Sequence, residues 1–205
     1  MKLKFDQKGQ VSRLLLVLAI IVLVAVVIVY LVIGMAERPS APVENPTQNI
    51  PQPHYEQTLG NIKFVFIESR DLGSVLRASQ RTNQASSWVK DIPTTERFII
   101  VTIGAQNKGK ENIENRAWDI GNIIDAEGRN FEPSDGYTID AWLPEDNSCG
   151  VLLKPEFDPV PCTKIYEVSK ISTGLKIMVM SGKNNEPNKI SSGDFDQELI
   201  DLIIK

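Results

Sequence analysis

Histidine is almost absent from this chain: among 205 residues there is one, His54. That scarcity removes most nucleophile–base pairs and most imidazole metal sites at once. No Gly-x-Gly-x-x-Gly, phosphate loop or His-Glu-x-x-His run occurs, so no nucleotide cradle or zincin motif is legible. The acids Asp119, Asp125, Glu127, Asp135, Asp140 and Asp146 show no Asp-x-Asp-x-Asp spacing, and solvated turn acids are the expectation over a calcium loop. Nothing marks an acid pair for glycoside hydrolysis. The chain is therefore expected to be no enzyme, with no cofactor and no metal.

Charge is missing altogether from Leu14 to Ala36, LLLVLAIIVLVAVVIVYLVIGMA. As a helix these residues would span about 34 Å, against a hydrocarbon core of about 30 Å. We expect one transmembrane signal-anchor helix over 14–36. The rival is a cleaved signal peptide, with Gly34 and Ala36 spaced for a peptidase, but the run exceeds the usual apolar region of about 7–15 residues. Residues 1–13 carry Lys2, Lys4, Lys8 and Arg13 against Asp6, which places this basic segment in the cytoplasm and the rest outside. With −4 overall and +3 in that segment, residues 37–205 sum to −7. An acidic exterior argues against nucleic acid and against docking on anionic lipid.

Five of the twelve prolines fall within residues 37–60, which predicts an extended spacer. His54 lies in this tract and is expected to be solvated. Residues 61–205 are long enough for one domain with its own core, and their pattern is β. Strands are expected at Ile62–Ile67, Arg97–Ala105, Trp118–Ile124, Asn130–Phe131, Lys164–Val168 and Leu175–Met180. Arg97–Ala105 is apolar on both faces, which marks a central strand. Asn107 and Gly109 suit a turn with positive φ, and Asp125–Gly128 suits a hairpin. Ser69–Pro93 reads as a long polar excursion or as weak strands around Val75–Leu76 and Trp88–Val89. Three prolines in Lys154–Pro161 argue against regular pairing there. Glu198–Lys205 reads as a strand or a helix capped by Asp194, with strand favoured. Such short strands between turn clusters argue for an all-β, antiparallel sandwich.

The two cysteines, Cys149 and Cys162, lie in the exterior portion and are expected to pair. The closed loop would contribute about 3 kcal/mol in the chain-entropy account. Two cysteines without histidine do not complete a zinc site, and the spacing is not Cys-x-x-Cys. Trp118 is expected in the core. Trp88 and Trp142 lie in loop-like stretches, where core and sugar-stacking surface both stay open, and with Tyr137 they form the candidate binding surface.

The runs RFIIVTIGAQNKGKENI, IGNIIDAEGRNFEP, LLKPEFDPVPCTKIYEVSK and GLKIMV resemble the telokin-like domain of unknown function, also described as immunoprotective-extracellular-protein-like. Its members are mostly secreted or membrane-anchored prokaryotic proteins. The resemblance rests on the turn at Asn107–Gly109, Asp125–Gly128, Leu153-Lys154-Pro155-Glu156, and Tyr166-Glu167-Val168-Ser169. Glu156 stands where the family usually has glycine. The resemblance implies an immunoglobulin-like ectodomain and supplies no catalytic residue. Two functions follow as expectations: a tethered module that binds a protein or envelope component, or an accessory subunit of a larger transport or secretion complex.

Overall fold

The structure is a computed structural model, and it describes residues 17–18, 20–27, 52–82, 89–134 and 139–205. The chain divides into two units, residues 1–50 and 51–205. Of the first, residues 17–18 and 20–27 are α-helical. Among the described residues no helix is long and apolar enough to cross a membrane. The rest of the 14–36 segment, the basic segment 1–13 and most of the spacer lie outside the described residues.

Among the described residues the second unit has eight strands: β1 (Glu56–Leu59), β2 (Ile62–Leu76), β3 (Ile92–Asn107), β4 (Trp118–Ile124), β5 (Asn130–Phe131), β6 (Val160–Val168), β7 (Lys176–Gly182) and β8 (Phe195–Asp201). They form two four-stranded sheets, in the orders β1-β2-β3-β6 and β5-β4-β7-β8. Every strand pairing is antiparallel. The expected all-β sandwich is therefore what the chain forms. One core lies between the sheets. It joins Phe64, Ile99, Val101 and Ile103 of the first sheet to Trp118, Ile120, Ile177, Val179 and Ile200 of the second.

Three local expectations need correction. The domain begins before residue 61: Glu56–Leu59, placed by composition in the spacer, pairs with β2 from Glu56↔Val65 to Leu59↔Ile62. Proline ends at Pro53, and the residues after it are free to pair. His54 also belongs to the folded unit, with its backbone bonded to Asp201 on both sides. Second, of the two readings of Ser69–Pro93 the excursion gives way to strand at both ends: β2 runs on to Leu76, through the Val75–Leu76 that the alternative had as strand, and β3 begins at Ile92. Register shifts between Phe66 and Glu68, and twice between Asp71 and Val75, break the alternation that would have revealed the strand. Third, β6 includes Pro161. This strand is an edge, and the Pro161 carbonyl points outward to accept from Ser148 N. Its missing N–H therefore costs no ladder bond.

The turn after β3 is held differently from the expectation. Asn107 is buried, and its side chain makes the turn: Oδ1 accepts from Gly109 N at 2.8 Å, while Nδ2 donates to Glu111 O and Leu153 O. Glu156, where the resembling family has glycine, sits at φ +58° in the left-handed region. That conformation favours glycine, and here the Glu156 side chain pairs with Lys108.

The Asp125 turn carries the strongest buried charge. Its carboxylate accepts from Glu127 N, Arg129 N, Arg129 Nε and Ser172 Oγ. Ser172 in turn accepts at its carbonyl from Arg97 of β3, so the turn is tied across to the first sheet. Burial pushes the Asp125 carboxyl up, but the bonds from Ser172 and Arg129 outweigh it. Its pKa falls from the ordinary 3.8 to about 2. A depressed carboxyl stabilises the fold fully above its unfolded pKa and ceases to as pH falls through the folded one. Acid unfolding is expected to steepen between about pH 4 and pH 2. Asp125→Asn is expected to be less stable at neutral pH, with the gap from wild type closing toward pH 2. Chemical denaturation across that range checks this, and parallel stability curves would contradict it.

Candidate functional site

Apolar residues on both faces of β3 need cover on both sides. Ile99, Val101 and Ile103 face the core between the sheets. Phe98 and Ile100 face outward, into a second buried cluster with Leu76, Val89, Ile139, Ala141, Trp142 and Ile165. The cover comes from the segments after β2 and before β6, where Ala78–Gln80 and Ile139–Trp142 form short 3₁₀ turns. Between this cluster and the open end of the sheet, Thr102 and Thr163 share a buried hydroxyl bond of 2.9 Å.

Trp142 is the one aromatic of the candidate surface that the described residues include. It is 4% exposed, and its indole Nε1 donates to Arg77 O at 2.9 Å. It is therefore a corner of the second core and not an exposed stacking platform, which corrects the expectation. The tether to Arg77 fits this: a buried indole N–H needs a partner, and the Arg77 carbonyl supplies it. Trp88 and Tyr137 lie outside the described residues. Trp118, 1% exposed, donates to Val151 O and meets Phe64 edge-on at 6.3 Å between ring centres, as expected of a core residue.

Two recesses adjoin these features. One, of about 290 Å3, is walled by Trp142, Leu76 and Ile100 and rimmed by Arg70, Asp71, Gln80 and Thr82. Arg70 pairs with the outward Ile100, while Asp71, just before the next register shift, is opposite Ile99 and pairs with Arg97. The other, of about 270 Å3, is lined by Trp118, Asp119, Cys149, Gly150 and Asn188. Both fall just below the usual range for small-molecule sites, about 300–1,000 Å3, so either would hold a small group.

Cys149 and Cys162 form a disulfide with Cα atoms 4.5 Å apart. Gly150, at φ +67°, turns the chain beside Cys149, and a side chain there would press on Trp118 O. The segment this anchors caps the outer edge of β6. Asn147 presents its amide as a strand would: Oδ1 accepts from Thr163 N at 2.8 Å and Nδ2 donates to Thr163 O at 2.9 Å. Ser134 N caps the next outward carbonyl, that of Ile165.

The acids do not converge. Asp125 is consumed by its turn, and Asp119 pairs with Lys164 at 2.9 Å. Among the described residues, Asp119 with the two cysteines is the grouping close enough to suggest metal ligation. Sulfurs bonded to each other offer no thiolate to an ion, so the pairing explains this cluster. Burial holds the Tyr166 phenol well above its ordinary range, with the charge of Asp119 adding to the effect. That hydroxyl donates to Gly121 O at 2.7 Å and ties β6 to β4.

No family model matches the chain, and no curated protein matches it. Similar solved structures include the yjhA protein of Bacillus subtilis, 15% identical, covering 74% of this chain and 99% of that one with a TM-score of 0.45. A functionally unknown protein of Listeria monocytogenes is 13% identical over 74% of this chain and 82% of its own, with a TM-score of 0.43. A conserved hypothetical protein of Bacillus anthracis is 15% identical over 71% and 91%, with a TM-score of 0.42. Likeness of this order assigns neither family nor activity.

Sequence alone placed no weight on Arg70, Asp71, Gln80 or Asn147. Asp71 meets Arg97 and Asn147 meets Thr163, partners distant in the chain, and no local pattern announces either. Trp142→Ala is expected to cost about 3–5 kcal/mol, the range for removing a buried aromatic. Equilibrium denaturation measures it, and a cost under about 1 kcal/mol would return Trp142 to the surface.

Proposed function

We propose that this chain is a non-enzymatic, membrane-anchored, extracytoplasmic immunoglobulin-like module that binds a protein or another component of the cell envelope. The observation that carries it is the disulfide set in a sandwich that follows an uncharged 23-residue segment. Disulfides persist where the surroundings are oxidising, which favours the outer side of a membrane.

The strand order supports the immunoglobulin-like part. In chain order, β2 to β8 take the places of strands A, B, C, C′, E, F and G. That puts A-B-E in one sheet and C′-C-F-G in the other, with β1 added beside A. The buried tryptophan of strand C has its counterpart in Trp118 on β4. The inter-sheet cysteines of antibody domains have none, because this disulfide joins β6 to the segment before it. The same order fits the telokin-like family that the sequence resembles.

Binding would use the loops around the Trp142 recess, where Arg70, Asp71, Gln80 and Thr82 offer polar contacts over an apolar wall. The accessory-subunit reading draws on a different surface. Ile67 and Phe157 are 48% and 60% exposed. Pro159 and Ile67 both approach Gly104, so apolar side chains gather on the uncovered end of the first sheet.

Protease added to intact cells is expected to digest residues 52–205 and spare the N-terminal tail; a protected sandwich would overturn the topology. Capture of the full chain in mild detergent separates the two functions. A stoichiometric membrane partner lost on Ile67→Asp would favour the accessory subunit. A partner lost on Arg70→Ala would favour the recess.

A further inference from the structure

The two sulfurs of the disulfide stand in different surroundings. Cys162 is 0% exposed and belongs to the core between the sheets. Cys149 is half-buried and lines the recess of about 270 Å3 with Trp118, Asp119 and Gly150. Thiol–disulfide exchange needs the attacking sulfur to approach in line with the bond it breaks, so access selects which sulfur is attacked. The recess is lined by Cys149 and not by Cys162, so a thiolate arriving there meets Cys149, and Cys162 is the sulfur that leaves.

We propose that Cys149 is a one-sided thiol-exchange site, taking low-molecular-weight thiols through this recess. A thiolate attacks Cys149 Sγ. A new S–S bond forms between the incoming sulfur and Cys149, and the bond to Cys162 breaks. Cys162 leaves with the electron pair as a thiolate and takes a proton from solvent. No external oxidant is needed, because the disulfide is passed from the protein pair to the mixed pair. Asp119 makes the step slow: its Oδ1 lies 3.9 Å from Cys162 Sγ and repels the leaving thiolate, although Lys164 offsets that charge.

Exchange also has a structural consequence. The crosslink holds residues 147–149 beside β6, where Asn147 occupies the outward N–H and C=O of Thr163. Opened at Cys149, that cap is held by Asn147 and Ser148 alone. The site is thereby a chemical control on whether the edge of β6 is covered.

The full chain, in mild detergent and without denaturant, is treated with reduced glutathione, quenched in acid and mapped by mass spectrometry. Glutathione is expected on Cys149 in at least about tenfold excess over Cys162. Two single-cysteine variants give a second measure with an aromatic disulfide reagent. The Cys149 thiol of Cys162→Ala is expected to react at least about tenfold faster than the Cys162 thiol of Cys149→Ala. Adducts shared equally, or favouring Cys162, would overturn the proposal, as would equal rates in folded variants. Hydrogen exchange at Thr163 N is expected to rise about tenfold or more once the bond is opened. An unchanged rate would overturn the link to the β6 edge.

Discussion

The burial of β3 on both faces is the constraint on which this fold depends. A strand of Phe98, Ile99, Ile100, Val101 and Ile103 cannot present either side to water. The second sheet answers one side with β4, β7 and β8. On the other side, two connecting segments fold down to cover the strand, and Trp142 lies in the cluster they form with it. Loops that in most sandwiches are free to vary are here partly core. The recess beside Trp142 opens against these connections, which fix its walls.

Legibility in the sequence followed the range of the interaction. Strands β4, β5, β7 and the second half of β6 were readable because alternation and turn residues are local signals, whereas β8, at Phe195–Asp201, lay in a stretch open to strand or helix. The two-faced character of β3 was readable for the same reason. What the sequence hid were features made by partners far along the chain. Strand β1 was masked by the prolines before it, and its pairing with β2 is invisible to composition. The second half of β2 was masked by three register shifts, each of which inverts the face of every later residue. Pro161 read as a breaker because an edge and a central strand look alike in one dimension. Trp142 read as a surface residue because its surroundings in sequence are polar, while its neighbours in space are Leu76, Phe98 and Ile165. Of the candidate site, the cysteine pair was legible from parity and context. The polar rim of the Trp142 recess was not.

Charge is used sparingly and at corners. Asp125 satisfies four donors and, through Ser172 and Arg97, links the β4–β5 turn to the opposite sheet. Buried carboxylates are costly unless fully bonded, and this one is. Tyr166 makes the complementary tie, sending a hydroxyl from the first sheet to a carbonyl of β4. Together they fix the two sheets at the end where the hydrophobic contact alone would permit sliding.

The Asn147 amide has a consequence for how copies of this molecule behave when crowded. A sheet edge recruits neighbours only if it offers consecutive unpaired donors and acceptors. An amide side chain supplies one donor and one acceptor and then stops; it satisfies the edge without presenting a fresh one beyond it. Pro161 removes the adjoining donor, and Ser134 takes the next carbonyl. Growth of one sandwich onto another, the first event of fibre formation, therefore finds no template along this side.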